Sequence, residues 1–218
     1  MVIGVYNFFE AIDLMSGNPC VDEFQPMFQD TINKCIYVDD KIDIKIAIIS
    51  DTDDISSSDI YGIAIYATNC MLLLTSGPDA DLSYIIGYKP SIDEGIATLG
   101  SYCGTNVDVY RTLINRPYIY LMSIYVTSDM RGLGLFRKLF DTILSDKTTE
   151  AFVLIETLFG SINSVVPPGY LYNLYVNKYG FIKIGYEVDN TPHRIYNFDN
   201  SYHLDINNEI FNVLIKTI

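Results

Sequence analysis

The segment RGLGLFRK, Arg131 to Lys138, follows an apolar run from Tyr118 to Val126 (YIYLMSIYV) and four polar or flexible residues, TSDM. Its chemistry is that of an anion cradle. A helix start leaves backbone N–H groups without partners in its own helix and carries partial positive charge, so a tight glycine turn there can hold a pyrophosphate. Gly132 and Gly134 allow close approach to the main chain. Arg131, Arg137 and Lys138 place three of the chain's 14 basic residues within this turn, in a protein whose formal net charge is −13. An anionic cofactor would be drawn to that concentration of positive charge.

Other motifs with similar letters fit less well. A dinucleotide fingerprint GxGxxG would need glycine at position 137, which is Arg137, and no acidic ribose-binding residue follows at the expected point. A Walker A loop fails because GK[ST] is absent. A tight strand-to-helix turn with no ligand stays open as the plain structural reading. The acidic run Asp51, Asp53, Asp54, Asp59 lacks the glycine and glutamate of a calcium loop, with Ser56 and Gly62 in their places, and reads as a solvated hairpin loop. His193 and His203 have no ligand spacing, so no metal site is expected. No GxSxG elbow or Cys–His arrangement points to a hydrolase.

The elements around the turn follow from periodicity. Apolar residues from Asn7 to Ile36 recur at helical intervals and are broken by SGNP, which predicts two short helices. Lys41–Ser50 and Tyr61–Thr68 alternate and are β-branched, which predicts an antiparallel hairpin. A strand is predicted at Tyr118–Val126, then a helix to about Leu144 with Phe136, Leu139, Phe140, Ile143 and Leu144 on one face. Ala151–Thr157 reads as a strand and Tyr170–Tyr179 as a helix closed by Gly180. Strands are expected at Phe181–Val188 and His193–Asp199, and a last helix at Ile206–Ile218. Residues 76–117 carry many glycines and prolines without sustained periodicity, and are expected to be an insertion or substrate loop within one domain spanning 1–218.

Composition narrows the function classes. Of 218 residues, 27 are acidic, which disfavours nucleic-acid binding and favours a cationic substrate. The four cysteines, Cys20, Cys35, Cys70 and Cys103, form no CxxC pair and suit a reducing compartment. No signal peptide or membrane span is read, so a mature cytoplasmic protein without membrane attachment is expected. Eighteen tyrosines and no tryptophan suggest an AT-rich genome, such as that of a large DNA virus or a protist, which would make the location a host cytosol for a virus.

The strand, the spacing from Val126 to Arg131 and the run RGLGL together resemble the GCN5-related N-acetyltransferase superfamily, whose acetyl-CoA motif is RxxGxG/A. Phe136 occupies the sixth motif position. A second segment, NLYVNKYGFIKIGYE from Asn173 to Glu187, is similar to that family's late helix and its GF-initiated strand. The resemblance covers about Tyr118 to Asp199 at motif level, with Lys41–Thr68 compatible as a hairpin.

The resemblance implies an α/β fold, a mixed central sheet splayed between two parallel strands and flanked by helices. It implies acetyl-CoA as co-substrate and no metal. Ile124, Tyr125 and Val126 would meet the pantetheine arm, and Arg131, Gly132, Leu133, Gly134, Leu135, Phe136, Arg137 and Lys138 would hold the phosphates. The acetyl group would pass directly to a primary amine, on a cationic small molecule or a protein, in a ternary complex. Tyr175 is the implied general acid, although the usual tyrosine lies five residues before the phenylalanine of GF and Tyr175 lies six before Phe181. Tyr172 and Tyr179 stay as alternatives. Glu156 is the implied base, with Asp129 a further option. A monomer or homodimer is expected. The alternative of another class is a catalytically degenerate acyl-CoA-binding or protein-interaction module on the same fold.

Overall fold

The computed structural model describes residues 1–35, 43–70, 118–146, 152–158, 170–189, 195–197 and 209–217. Two compact units emerge, one of Met1–Asn69 with Ile119–Thr149, the other of Cys70–Tyr118 with Glu150–Ile218. Residues 76–117 and both histidines, His193 and His203, lie outside the described residues.

The first unit is built on strands β1 (Val2–Asn7), β2 (Asp43–Ser50), β3 (Ile60–Cys70) and β4 (Tyr118–Val126). β1 and β3 flank β2 and both run antiparallel to it. The expected hairpin is therefore present, with Ile46 opposite Ile65 and Ile48 opposite Ile63. β1 was not expected from the sequence, where the helical spacing of the following residues dominates. Ile46 to Ser50 are buried on both faces, because helices α1 (Phe8–Leu14) and α3 (Leu135–Ser145) both pack on β2. Three helical segments stand where two were expected: α1, a 3-10 turn at Pro19–Phe24, and α2 (Gln25–Cys35).

Asparagines set the starts of two of these segments. Asn7 Oδ1 accepts from the N–H groups of Phe9 and Glu10 at 3.0 and 3.3 Å. Asn18 does the same for Cys20, while its buried amide donates to the carbonyls of Ile55 and Ser58. That pins the 3-10 turn to the β2–β3 loop, and an asparagine at such a cap contributes about 1 kcal/mol.

Helix α3 buries Leu135, Leu139, Phe140 and Ile143; of the expected stripe, Leu139, Phe140 and Ile143 are buried, Phe136 and Leu144 are half-buried, and Leu135 takes the remaining place in the core. Gly62 on β3 lets it close in: a Cβ there would lie 2.9 Å from the Tyr125 carbonyl oxygen and 3.3 Å from Leu139. At the other end of α3, Asp146 is a poor residue for the negative end of a helix dipole. Lys45 compensates with an ion pair at 2.8 Å, and the Tyr66 hydroxyl donates to the same carboxylate oxygen at 2.9 Å.

Burial, followed by the charge of Asp146 and this hydrogen bond, pushes the Tyr66 phenol far above its ordinary value of 10.0. The folded chain thus keeps a proton that the unfolded chain releases near pH 10, so this contribution to stability is whole below that pH and is lost above it. Urea midpoints measured from pH 8 to 11 should fall above pH 10, and fall less steeply in Tyr66→Phe. Equal slopes in the two proteins would contradict this.

The second unit contains β5 (Phe152–Leu158), β6 (Ile182–Asp189), β7 (Ile195–Asn197) and β8 (Glu209–Thr217). β8 lies between β5 and β6 and runs antiparallel to both, and β7 pairs antiparallel with β6. The helix expected at Ile206–Ile218 is thereby corrected to a strand. Its apolar residues suit either period, as short apolar runs do. Pairing on both sides decides, with Ile215 opposite Leu154 on β5 and Ile182 on β6, and Leu214 fully buried. Between β5 and β6 lies α4 (Tyr170–Asn173), which continues as a π turn at Leu174–Lys178. Among the described residues no helix is long and apolar enough to cross a membrane.

Candidate functional site

β4 delivers the chain to the glycine turn in the first unit. Its last residues, Ile124 and Tyr125, are half-buried, and Val126 is buried. The Thr127 N–H donates to the Tyr61 carbonyl at 3.0 Å, so the strand's end is held against the start of β3. A single 3-10 turn, Ser128–Met130, redirects the chain before Arg131. Asp129, at its centre, is exposed.

Gly132 and Gly134 both take left-handed backbone angles, φ 83° and 78°. Side chains other than glycine's strain there. Gly134 caps α3 without any side-chain hydrogen bond, and the first intrahelical bond runs from Lys138 N–H to its carbonyl at 3.2 Å. A Cβ built on either glycine would meet no atom within 4 Å. The space over both glycines is therefore open, and the backbone there is within reach of a ligand. The amides of the first turn of α3 have no acceptor within their own helix.

The side chains around the turn are sorted by chemistry. Leu133 at the tip is 62% exposed, whereas Leu135 is buried and anchors the helix. Phe136 is half-buried and stacks on Phe140, ring centres 6.5 Å apart, which draws its bulk along the helix. Arg137 is swept toward Asp141 one turn on, at 3.4 Å and with both side chains mostly exposed. Such a pair contributes little to stability. Lys138 is exposed on the same helix. Open backbone, a helix start and three basic side chains fit a phosphate-bearing group.

One residue that sequence reasoning gave no place to joins this site. Glu23, in the 3-10 turn Pro19–Phe24, accepts a hydrogen bond from the Tyr125 hydroxyl. Nothing in the sequence signals the pair, since the partners are 102 positions apart. That hydrogen bond raises the Tyr125 phenol above its ordinary value, burial and the Glu23 charge add to this, and Arg131 works against it.

Tyr175 and Glu156 lie in the second unit. Tyr175 is on the π turn, fully buried, with Phe181 edge-on at 5.3 Å and Tyr179 tilted at 6.3 Å. A π turn takes one residue more than an α turn. The Phe181 N–H closes back on the Tyr175 carbonyl at 3.0 Å. Burial drives the Tyr175 phenol well above 10.0, with the nearby Tyr179 adding to it. The group is thus protonated at neutral pH. Tyr172 is half-buried, and the Tyr179 carbonyl accepts from Lys216 of β8. Glu156 lies mid-strand on β5 with its backbone opposite Val213. Among the described residues no group of three or more His, Cys, Asp or Glu is placed to hold a metal ion.

No family model and no curated protein matches the chain. Solved structures do. The chain is similar to NAA60 of Arabidopsis thaliana in complex with a bisubstrate analogue, at 11% identity over 100% of this chain and 98% of that one, TM-score 0.43. It is similar to the IAA acetyltransferase from Bacillus cereus, at 12% identity over 100% and 99%, TM-score 0.43. A third is the ribosomal-protein-S18-alanine N-acetyltransferase from Escherichia coli, at 11% identity over 100% and 94%, TM-score 0.42. Overlaps this loose decide neither the fold nor the activity.

Proposed function

We propose that this protein is an N-acetyltransferase that uses acetyl-CoA to acetylate a primary amine. The observation that carries the reading is the turn from Arg131 to Lys138. It pairs two left-handed glycines under open space with a helix start and three basic side chains, in a chain of net charge −13. Main-chain N–H groups of Gly132 to Phe136 would hold the pyrophosphate, and Arg131, Arg137 and Lys138 would meet the remaining phosphate charge. The backbone of Ile124, Tyr125 and Val126 would hold the pantetheine arm.

Bound acetyl-CoA supplies an activated acetyl thioester. Glu156 would take a proton from the neutral amine as its nitrogen bonds to the acetyl carbonyl carbon, and Tyr175 would give its proton to the sulfur as the C–S bond breaks. A phenol carries its proton at neutral pH, so Tyr175 would have one to give. The acidic surface favours a cationic acceptor: a polyamine, a lysine side chain, a protein N-terminus or an aminosugar.

The test is amine-dependent release of CoA, followed with a thiol reagent across those four acceptor classes. Release that requires both acetyl-CoA and one of the amines supports the reading. Tight binding of acetyl-CoA with no release for any amine would overturn the enzymatic part and leave an acyl-CoA-binding module.

A further inference from the structure

The hydroxyl of Tyr125 stands between two opposite charges brought from distant parts of the first unit. It donates to Glu23 Oε1 and accepts from a terminal nitrogen of Arg131 at 3.4 Å. The Arg131 guanidinium carbon also lies 5.5 Å from the centre of the Tyr125 ring, and its Nε donates to the Val126 carbonyl at 3.3 Å. Phe24, fully buried beside Glu23, meets the same ring edge-on at 5.8 Å. Ring, hydroxyl and carbonyl therefore hold one otherwise exposed guanidinium from three sides.

A phenol has one proton to donate. With that proton committed to Glu23, the oxygen lone pairs are left for Arg131, so Glu23 sets the direction of a contact it does not itself make. A long, exposed arginine loses rotamer freedom when it engages a ligand. Holding it beforehand removes part of that cost and tightens binding.

We infer that Tyr125 is a positioning residue, whose hydroxyl, oriented by Glu23, fixes the Arg131 guanidinium beside the Gly132–Gly134 turn and couples the segment Pro19–Phe24 to anion binding there. The coupling to binding rests on reading that turn as the phosphate site of acetyl-CoA. The hold on Arg131 does not, and the two can be measured apart.

The first measurement is the Nε–H signal of Arg131 in ligand-free protein by nitrogen-15 NMR. Tyr125→Phe keeps the ring and its packing on Phe24 and removes only the hydroxyl. Glu23→Ala removes only the acceptor. Each should shift the signal and speed its exchange about ten-fold, with the double variant no different from either single one. Glu23→Gln should restore the wild-type signal, because its amide oxygen still accepts.

The second measurement is acetyl-CoA affinity by calorimetry. Each single substitution should weaken binding about three- to ten-fold, and the double should add nothing further. An Arg131 signal indifferent to both substitutions, or losses that multiply in the double variant, would overturn the inference. Should the signal respond while wild-type protein binds no acetyl-CoA, the cofactor reading and the coupling would both fall, and only the hold on Arg131 would stand.

Discussion

Tyr175→Phe should lower kcat by about 100-fold or more while leaving the acetyl-CoA dissociation constant within about three-fold, as expected when a general acid is lost and binding is not. The substitution removes one oxygen from a fully buried ring and keeps its edge-on contact with Phe181. Folding should survive it, which a circular dichroism melt of the variant checks. The pH profile adds a second expectation. Because burial raises this phenol above 10.0, wild-type kcat should show no loss attributable to Tyr175 ionising between pH 7 and its ordinary value. A variant with kcat within three-fold of wild type would make Tyr175 a packing aromatic. Tyr172 and Tyr179 would then be the next tyrosines to test.

Gly134→Val should weaken acetyl-CoA binding by about 100-fold, through two separate effects. A β-branched residue at φ 78° is strained by about 1–2 kcal/mol, and its side chain enters the open space over the turn. Gly134→Asn separates the two, because asparagine tolerates left-handed angles while still filling that space. It should keep near-wild-type stability and lose most of the affinity. If Gly134→Asn binds acetyl-CoA as tightly as wild type, the space over the turn is not where the phosphates sit.

What could be read from the sequence was the local part of the structure. The run from Tyr118 to Leu144 announced strand, turn and helix because each signal lies within a few residues of the next: alternating β-branched and aromatic residues, two glycines, then an apolar stripe. The glycines' left-handed angles follow from their side chains being absent. The hairpin of β2 and β3 was legible for the same reason, with a polar loop between two β-branched runs. β8 was not, since Ile210, Phe211, Leu214 and Ile215 fit a helical face as well as a strand, and only pairing with β5 and β6 chooses.

The helix end around Tyr175 shows the same limit at finer scale. Counting residues put the tyrosine one place out of register, and the count assumed an α-helix throughout. The helix end at Leu174–Lys178 is a π turn, which no propensity of LYVNK would have revealed. Glu23 was invisible because its meaning comes from a contact with Tyr125 made across the fold. Sequence patterns encode the elements. The partners of their polar groups are set by tertiary packing.

The central claim is that the turn from Arg131 to Lys138 holds the phosphates of acetyl-CoA. Isothermal titration calorimetry of the purified protein with acetyl-CoA, with CoA as competitor, tests it without knowledge of the acceptor. Saturable binding that CoA displaces and that Arg131→Glu weakens is the expected result. No heat at millimolar acetyl-CoA, or binding that Arg131→Glu leaves untouched, would contradict it.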